Sequence, residues 1–488
     1  MLFKRFYDDN LAQASYLIAC ERTREAVVVD PNIDIAQYTR AAGAQRLRIA
    51  HVTETHIHAD FVSGAHALAE VAGAALHLSA ESPTEWGYTH GALSSAHGLK
   101  NGSEITFGAV RLRALHTPGH TPEHLVFLVS DLDRGDQTIG AFTGDFIFVG
   151  DVGRPDLLER AAGAAVGTTE AAARELFHSI HEFLRLPDFV QIWPGHGAGS
   201  ACGRSLGAMP QSTLGYERLF NWALSQMDEK EFVRRVLEDQ PVPPRYFARM
   251  KNINRSPNNS APDAIDPSEL PLSDLEGALR DSSTIVDTRP AEKFAVGHIP
   301  GTLNIPRTKS FLNWFGALVP SEGDVYLITE AESDDAVCLL FADLAKIGVA
   351  QPRGHFSHRI FHDWQAAHGT LERIPQVDAE ALSALAGNSH VQVIDVRGPD
   401  EWRRGHLPGA IHIPLAALPE RIVELDPAIP TILQCKGGGR SSIAASLLKA
   451  RGMEQVSNLT GGFEDWVKRG LEVEREPAAS HDLSSHSA

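Results

Sequence analysis

Apolar and polar positions along the chain fall into two regimes that meet near residue 240. Residues 14–30 carry an apolar run, a charged turn at Glu21–Arg24 and the β-branched run Ala26–Val29, which predicts a hairpin. Residues 61–72 are Ala-rich and predict a helix. Strand and helix signals then alternate to about residue 195, an α/β pattern, and residues 212–239 are helical by spacing. The stretch PVPPRYFARMKNINRSPNNSAPDAIDP (241–267) is dense in Pro, Asn and Ser. It is not expected to hold a long helix or strand, so it marks a domain boundary.

Beyond that boundary the pattern repeats itself. Residues 285–306 (IVDTRPAEKFAVGHIPGTLNIP) match residues 393–414 (VIDVRGPDEWRRGHLPGAIHIP). Each copy reads as strand, Asp-x-Arg, helix, Gly-His-hydrophobic-Pro and a short strand ending in Pro. The copies stay in step through DVYLIT (324–329) against PTILQC (430–435), each followed by a helix, and end on Phe361–Trp364 against Phe463–Trp466. The expected organisation is a first domain over 1–250, a linker over 251–268, one repeat copy over 269–372, the second over 377–475 and a disordered polar tail over 476–488.

Composition narrows the function classes. The chain has 488 residues, 43% hydrophobic and 22% charged, enough for about three domains. A net charge of −18 disfavours a nucleic-acid partner, which needs a basic face. The N-terminus lacks the apolar core of a signal peptide, and no run of about 18 apolar residues suits a membrane span. Four widely spaced cysteines, Cys20, Cys202, Cys338 and Cys435, do not form a disulfide framework. A cytoplasmic protein with reduced thiols and no membrane partner is expected.

Candidate chemistry sits in two places. In the first domain, His56, His58 and Asp60 alternate in Thr-Glu-Thr-His-Ile-His-Ala-Asp (53–60), HTPGHTPEH (116–124) adds His120, FTGD (142–145) adds Asp145, and WPGHG adds His196. Three separate His/Asp clusters beside Gly or Pro turns, each after an apolar strand, point to a metal site. In the second repeat copy, Cys435 opens a glycine-rich strand-to-helix turn, Cys435-Lys436-Gly437-Gly438-Gly439-Arg440-Ser441. Backbone N–H groups, the helix N-terminus and Arg440 are expected to stabilise an anionic sulfur there. The first copy has Thr329 at that position and a loop with four carboxylates (330–335), so it is expected to be catalytically silent.

T-H-x-H-x-D, T-P-G-H-T and F-T-G-D together resemble the metallo-β-lactamase superfamily, over roughly residues 1–240. The implied fold is an αββα sandwich with the metal at one sheet edge, followed by two rhodanese-like doubly wound α/β domains. Binuclear zinc members carry His after the motif's Asp, where this chain has Phe61. That departure, with DVGRPDLL (151–158), resembles the persulfide dioxygenase branch. The resemblance implies one mononuclear Fe(II) held by His56, His120 and Asp145, a donor set that suits O2 activation. His58, Asp60 and His196 would orient ligands or substrate. Arg154 would order the loop beside the metal or pair with a substrate carboxylate, and Cys202 is a candidate for handling substrate. The turn C-x-x-G-x-R, with IDVR and GHLPGA, resembles a rhodanese active loop. There Cys435 and Arg440 would be catalytic, with Lys436, Gly437, Gly438, Gly439 and Ser441 cradling the sulfur.

The order as a whole is similar to persulfide dioxygenase–sulfurtransferase fusions. It implies oxidation of a small thiol persulfide, such as glutathione persulfide, by O2 to sulfite, with sulfur transfer that makes or consumes thiosulfate. Homo-oligomerisation is expected too. A zinc thioester hydrolase of the glyoxalase II kind fused to a rhodanese is the rival reading.

Overall fold

The hairpin pattern forms as the spacing requires. Strands Gln13–Ala19 and Glu25–Val29 pair antiparallel, with Tyr16 opposite Val29. In this computed structural model the described residues are 1–82, 85–162, 167–200, 202–203, 206–238, 240, 243–256, 268–330, 333–349, 351–385 and 391–475. The expected tail and most of the expected linker lie outside them. The chain divides into two compact units: Met1–Asp266 with Phe315–Ala317 and Ser333–Gln351, and Pro267–Trp314 with Leu318–Glu332 and Pro352–Ala488.

The first unit holds two six-stranded sheets. One runs in chain order from Leu2–Asp8 to His97–Leu99. The other runs in the order Ser212–Thr213, Gln191–Pro194, Thr138–Gly144, Leu125–Asp131, Val110–His116 and Glu104–Phe107. Side chains alternate between strand faces, so each sheet feeds two cores. Tyr16, Ile18, Val27 and Val29 meet Leu112, Phe127, Val129 and Phe142 between the sheets. Leu17, Val28 and Val52 pack outward under helices Ala36–Ala44 and Ala65–Ala72. Val126, Leu128 and Ile192 pack under helices Thr168–Phe183 and Glu229–Leu237. This is the expected αββα sandwich. No helix among the described residues is long and apolar enough to cross a membrane, and all four cysteines are free.

The Pro/Asn-rich stretch does hold a helix, Tyr246–Asn254, because Tyr246, Phe247 and Met250 share a buried face that outweighs the weak helix formers around them. Its last turn, with buried Lys251 and Asn254, lies inside the expected linker. The helix Asp334–Lys346 of the first repeat copy groups with the first unit. There Lys346 Nζ bridges Asp8 Oδ2 at 2.7 Å and Asp343 Oδ1 at 2.8 Å, and its carbonyl accepts the Val62 N–H at 2.6 Å. The expected 269–372 copy is therefore divided between the units.

The second unit holds a four-stranded and a five-stranded sheet, each parallel throughout. The sequence repeat recurs bond by bond. Arg289 forks onto Asp287 and donates to the Gly297 carbonyl at 3.0 Å. Arg397 does the same with Asp395 and Gly405, at 2.7 Å to the carbonyl. Each guanidinium lies over a ring, Phe361 or Phe463.

One glycine ties a helix to the loop that carries His120. Gly119 has φ +139°, and a Cβ there would lie 2.4 Å from Leu176 Cβ on Thr168–Phe183. Gly119→Ala is expected to destabilise the first unit by about 1–3 kcal/mol, read from chemical denaturation; unchanged stability would show that the loop can shift freely.

Candidate functional site

The strand Arg48–Thr53 ends in the loop that carries His56, His58 and Asp60, and Thr138–Gly144 ends at Asp145. Ligand atoms of His56, His120 and Asp145 lie within 4.8 Å of one another, all three buried. Asp145 Oδ2 is 3.9 Å from His56 Nε2 and 3.5 Å from His120 Nε2. It is buried without a hydrogen-bond partner.

The other ring nitrogens are engaged. His120 Nδ1 donates to the Arg154 carbonyl at 2.9 Å. Thr55 Oγ1 donates to Asp30 Oδ2 at 2.9 Å and so accepts from His56 Nδ1 at 3.0 Å. Both Nε2 atoms therefore present lone pairs to the orphaned carboxylate oxygen. Burial, then the neighbouring imidazoles, pushes the His56 pKa well down, and burial lowers that of His120, so both rings stay neutral. Three acceptors facing one another without a donor fit a single divalent cation, and iron and zinc both take such donors.

Around this face the buried groups form a connected network. His196 Nδ1 donates to Asp145 Oδ1 at 2.7 Å and Nε2 to Asp60 Oδ2 at 2.8 Å. Burial opposes charge on this ring, but the Asp145 and Asp60 carboxylates outweigh it and hold the pKa well above the usual value. The ring then has no lone pair for an ion, although Asp60, His196 and Cys202 also lie within 4.8 Å of one another. Phe61 is buried against the His58 ring, centroids 4.4 Å apart. His58 pairs with Asp30 at 3.1 Å. Burial opposes its charge too, yet Asp30 raises its pKa to about 9. Cys202 is buried; burial first, then the carboxylates of Asp60 and Asp145, pushes its thiol well up, so it is protonated. Arg154 is wholly buried and forks onto Asp156 at 2.7 Å.

Sequence reasoning missed Asp30, His124 and Asn254. Asp30 ends a buried β-branched strand, and a carboxylate in that place was a usable signal. His124, in the same motif as His120, accepts the Asp145 N–H at 3.2 Å. Asn254 donates to the carbonyls of His58 and Phe61 at 2.8 and 2.7 Å and accepts the Ser63 N–H at 2.9 Å. Nothing local to residue 254 signals this.

In the second unit, Cys435 follows strand Thr431–Gln434 and is buried. Its Sγ accepts the Gly438 N–H at 3.2 Å and the Ser441 hydroxyl at 3.3 Å. Gly438, φ +100°, opens helix Gly439–Ala450. Gly462 has φ +54°, and a Cβ there would lie 2.3 Å from the Cys435 carbonyl. Arg440 is paired: its guanidinium forks onto Glu401 at 2.6 and 2.7 Å and ties the loop to helix Pro399–Arg404, while its charge still interacts with Cys435. Lys436 Nζ lies 3.4 Å from exposed Glu464. Gly437 and Gly439 donate no hydrogen bond to the sulfur among the described residues. The cradle is thus amide and hydroxyl donors, a fit for a sulfur anion. In the first copy Thr329 replaces the thiol, and Glu330 pairs with Lys293 at 2.8 Å.

A buried two-histidine, one-carboxylate centre on an αββα sandwich, with a cysteine loop on parallel sheets, defines a metalloprotein joined to a sulfur-handling module. The metallo-beta-lactamase superfamily model matches residues 8–196, and the rhodanese-like domain model matches 272–353 and 378–469. A metallo-beta-lactamase of Staphylococcus aureus is 40% identical, over 73% of this chain and 98% of that one, with a TM-score of 0.65. A mitochondrial persulfide dioxygenase of Bos taurus is 28% identical over 236 residues, 48% of this chain and 80% of that protein. A sulfurtransferase of Allochromatium vinosum is 33% identical over 101 residues, 20% of this chain and 94% of that protein. The chain belongs to the metallo-β-lactamase superfamily through its N-terminal domain and to the rhodanese-like family through its C-terminal half, as a fusion of the two.

His196→Ala is expected to weaken divalent-metal binding about 10–100-fold, because Asp145 loses the partner that orients it. Metal titration of the apo chain checks this; unchanged affinity would show that the carboxylate is held without His196.

Proposed function

We propose that the chain oxidises a small thiol persulfide to sulfite and transfers sulfur through Cys435. The observation that carries this reading is the face formed by His56 Nε2, His120 Nε2 and Asp145 Oδ2, with Phe61 filling the place beside His58 and a rhodanese fused downstream. Those three residues would hold ferrous iron, which when bound supplies O2 activation toward a persulfide sulfur. The overall change balances as R–S–SH + O2 + H2O giving R–SH + sulfite + two protons.

The chain's own residues position and insulate this chemistry. His196 fixes the Asp145 carboxylate, Thr55 and the Arg154 carbonyl fix the two imidazoles, and Asn254 holds the loop between His58 and Ser63. Arg154 itself orders the loop through Asp156; its burial leaves it no route to a substrate carboxylate. In the sulfur-transfer step the Cys435 thiolate attacks the outer sulfur of a persulfide, and R–S⁻ leaves. The Cys435 persulfide then passes that sulfur to sulfite, giving thiosulfate and regenerating the thiolate. Gly438 N–H and Ser441 Oγ bear on the anion at Cys435. The reverse flux uses the same residues. Glutathione persulfide is the proposed donor and the cytoplasm the proposed compartment.

Metal analysis with an oxygen electrode tests the first half. Iron in the purified protein, O2 uptake on glutathione persulfide and sulfite release are expected; zinc, no O2 uptake and thioester cleavage would replace the reading with a hydrolase. The second half predicts that Cys435→Ser keeps its O2 uptake but accumulates sulfite, with thiosulfate formation falling to background. Undiminished thiosulfate from that variant would remove Cys435 from the sequence of steps.

A further inference from the structure

The silent repeat copy has lost its nucleophile but kept a hollow. A cavity of about 580 Å³ is lined by Thr329, which stands where Cys435 stands in the second copy, with Glu330 beside it and Thr288 in its wall. The volume falls within the range of small-molecule sites, about 300–1,000 Å³. Gly439 and Arg440, at the head of the helix that follows Cys435, complete the wall.

Most charges facing the cavity are already paired: Arg289 with Asp287, Arg440 with Glu401 and Glu330 with Lys293. Two are not. The side chains of Arg307 and Glu292 have no ion-pair or hydrogen-bond partner among the described residues, and both line the cavity with the Trp314 ring. One unpaired cation, one unpaired anion and an indole side chain in a single hollow match a zwitterion with an apolar body. Its carboxylate would meet Arg307 in a two-point fork, its ammonium Glu292, and its chain the ring. A threonine hydroxyl at 329 cannot carry sulfur by exchange, so occupancy is non-covalent.

We propose that the silent copy is a binding site for the amino-carboxylate portion of a peptide-type thiol carrier. The zwitterion half of this assignment stands on the cavity; the thiol half rests on the function proposed above. The silent copy then retains the carrier in the same unit as Cys435.

The test is calorimetric titration of the full chain with S-methylglutathione, whose blocked sulfur takes no part in exchange. Binding is expected for the wild type and for His56→Ala, which lacks a metal ligand. Affinity should fall about tenfold or more in Arg307→Ala and in Glu292→Gln. Both side chains are exposed, and unchanged melting temperatures would show that the variants fold. Equal binding by wild type and both variants, loss of binding in His56→Ala, or no binding at all overturns the proposal. A chain that binds through Arg307 and Glu292 but takes up no O2 with glutathione persulfide keeps this zwitterion site and sinks the dioxygenase reading instead.

Discussion

The two oxygens of Asp145 do different work, and the arrangement of the first unit depends on keeping them apart. Oδ1 accepts from His196, which is itself anchored on Asp60; Oδ2 is left bare between two imidazole nitrogens. A buried carboxylate with one satisfied and one naked oxygen is costly unless a cation answers it. The surrounding backbone leaves the group little room to escape. A Cβ at Gly195 would lie 2.8 Å from Asp145 Oδ1, and one at Gly153 would lie 1.8 Å from the Asp145 carbonyl. Glycines at these points let three loops close on one side chain. The sandwich supplies the loops, because its strands end together at one edge.

The second unit shows the complementary lesson. Both repeat copies keep the Asp–Arg fork, the ring beneath it and a histidine stacked on the preceding helix, His298 on Phe294 and His406 on Trp402. These groups hold the fold. The segment after strand Thr431–Gln434, and after Val325–Ile328 in the first copy, is free to differ. In one copy amide and hydroxyl hydrogens point at a sulfur; in the other a hydroxyl replaces the thiol and Glu330 turns to Lys293. Structure and reactivity are separable here because they use different segments of the same α/β unit.

That separation also explains what the sequence made legible. His56, His120 and Asp145 could be read because each sits in a short motif at a strand end, where spacing alone reports its place. The repeat could be read because matched strands and turns recur in order. Asn254 and Glu401 could not, since each acts on a residue distant in the chain: Asn254 binds the loop at His58 from nearly two hundred residues away, and Glu401 reaches Arg440. The Arg440–Glu401 fork was not legible because position in a loop gives proximity but not the direction of a side chain. The helix Tyr246–Asn254 was missed because three buried apolar residues decided it against the composition of their neighbours.

The two centres make opposite electrostatic demands. The first gathers neutral nitrogens and one carboxylate and presents only acceptors inward, so it needs a cation before it can hold any anion. The second gathers N–H and O–H donors around Cys435, a set that suits an anionic sulfur without a cation. On the proposed function, a persulfide anion would be held at the first centre only through a metal and at the second without one. Removing metal should silence one centre and leave the other's donors in place. On that reading the fusion would join two ways of holding the same kind of sulfur: one that exposes it to an oxidant, and one that shields it for transfer.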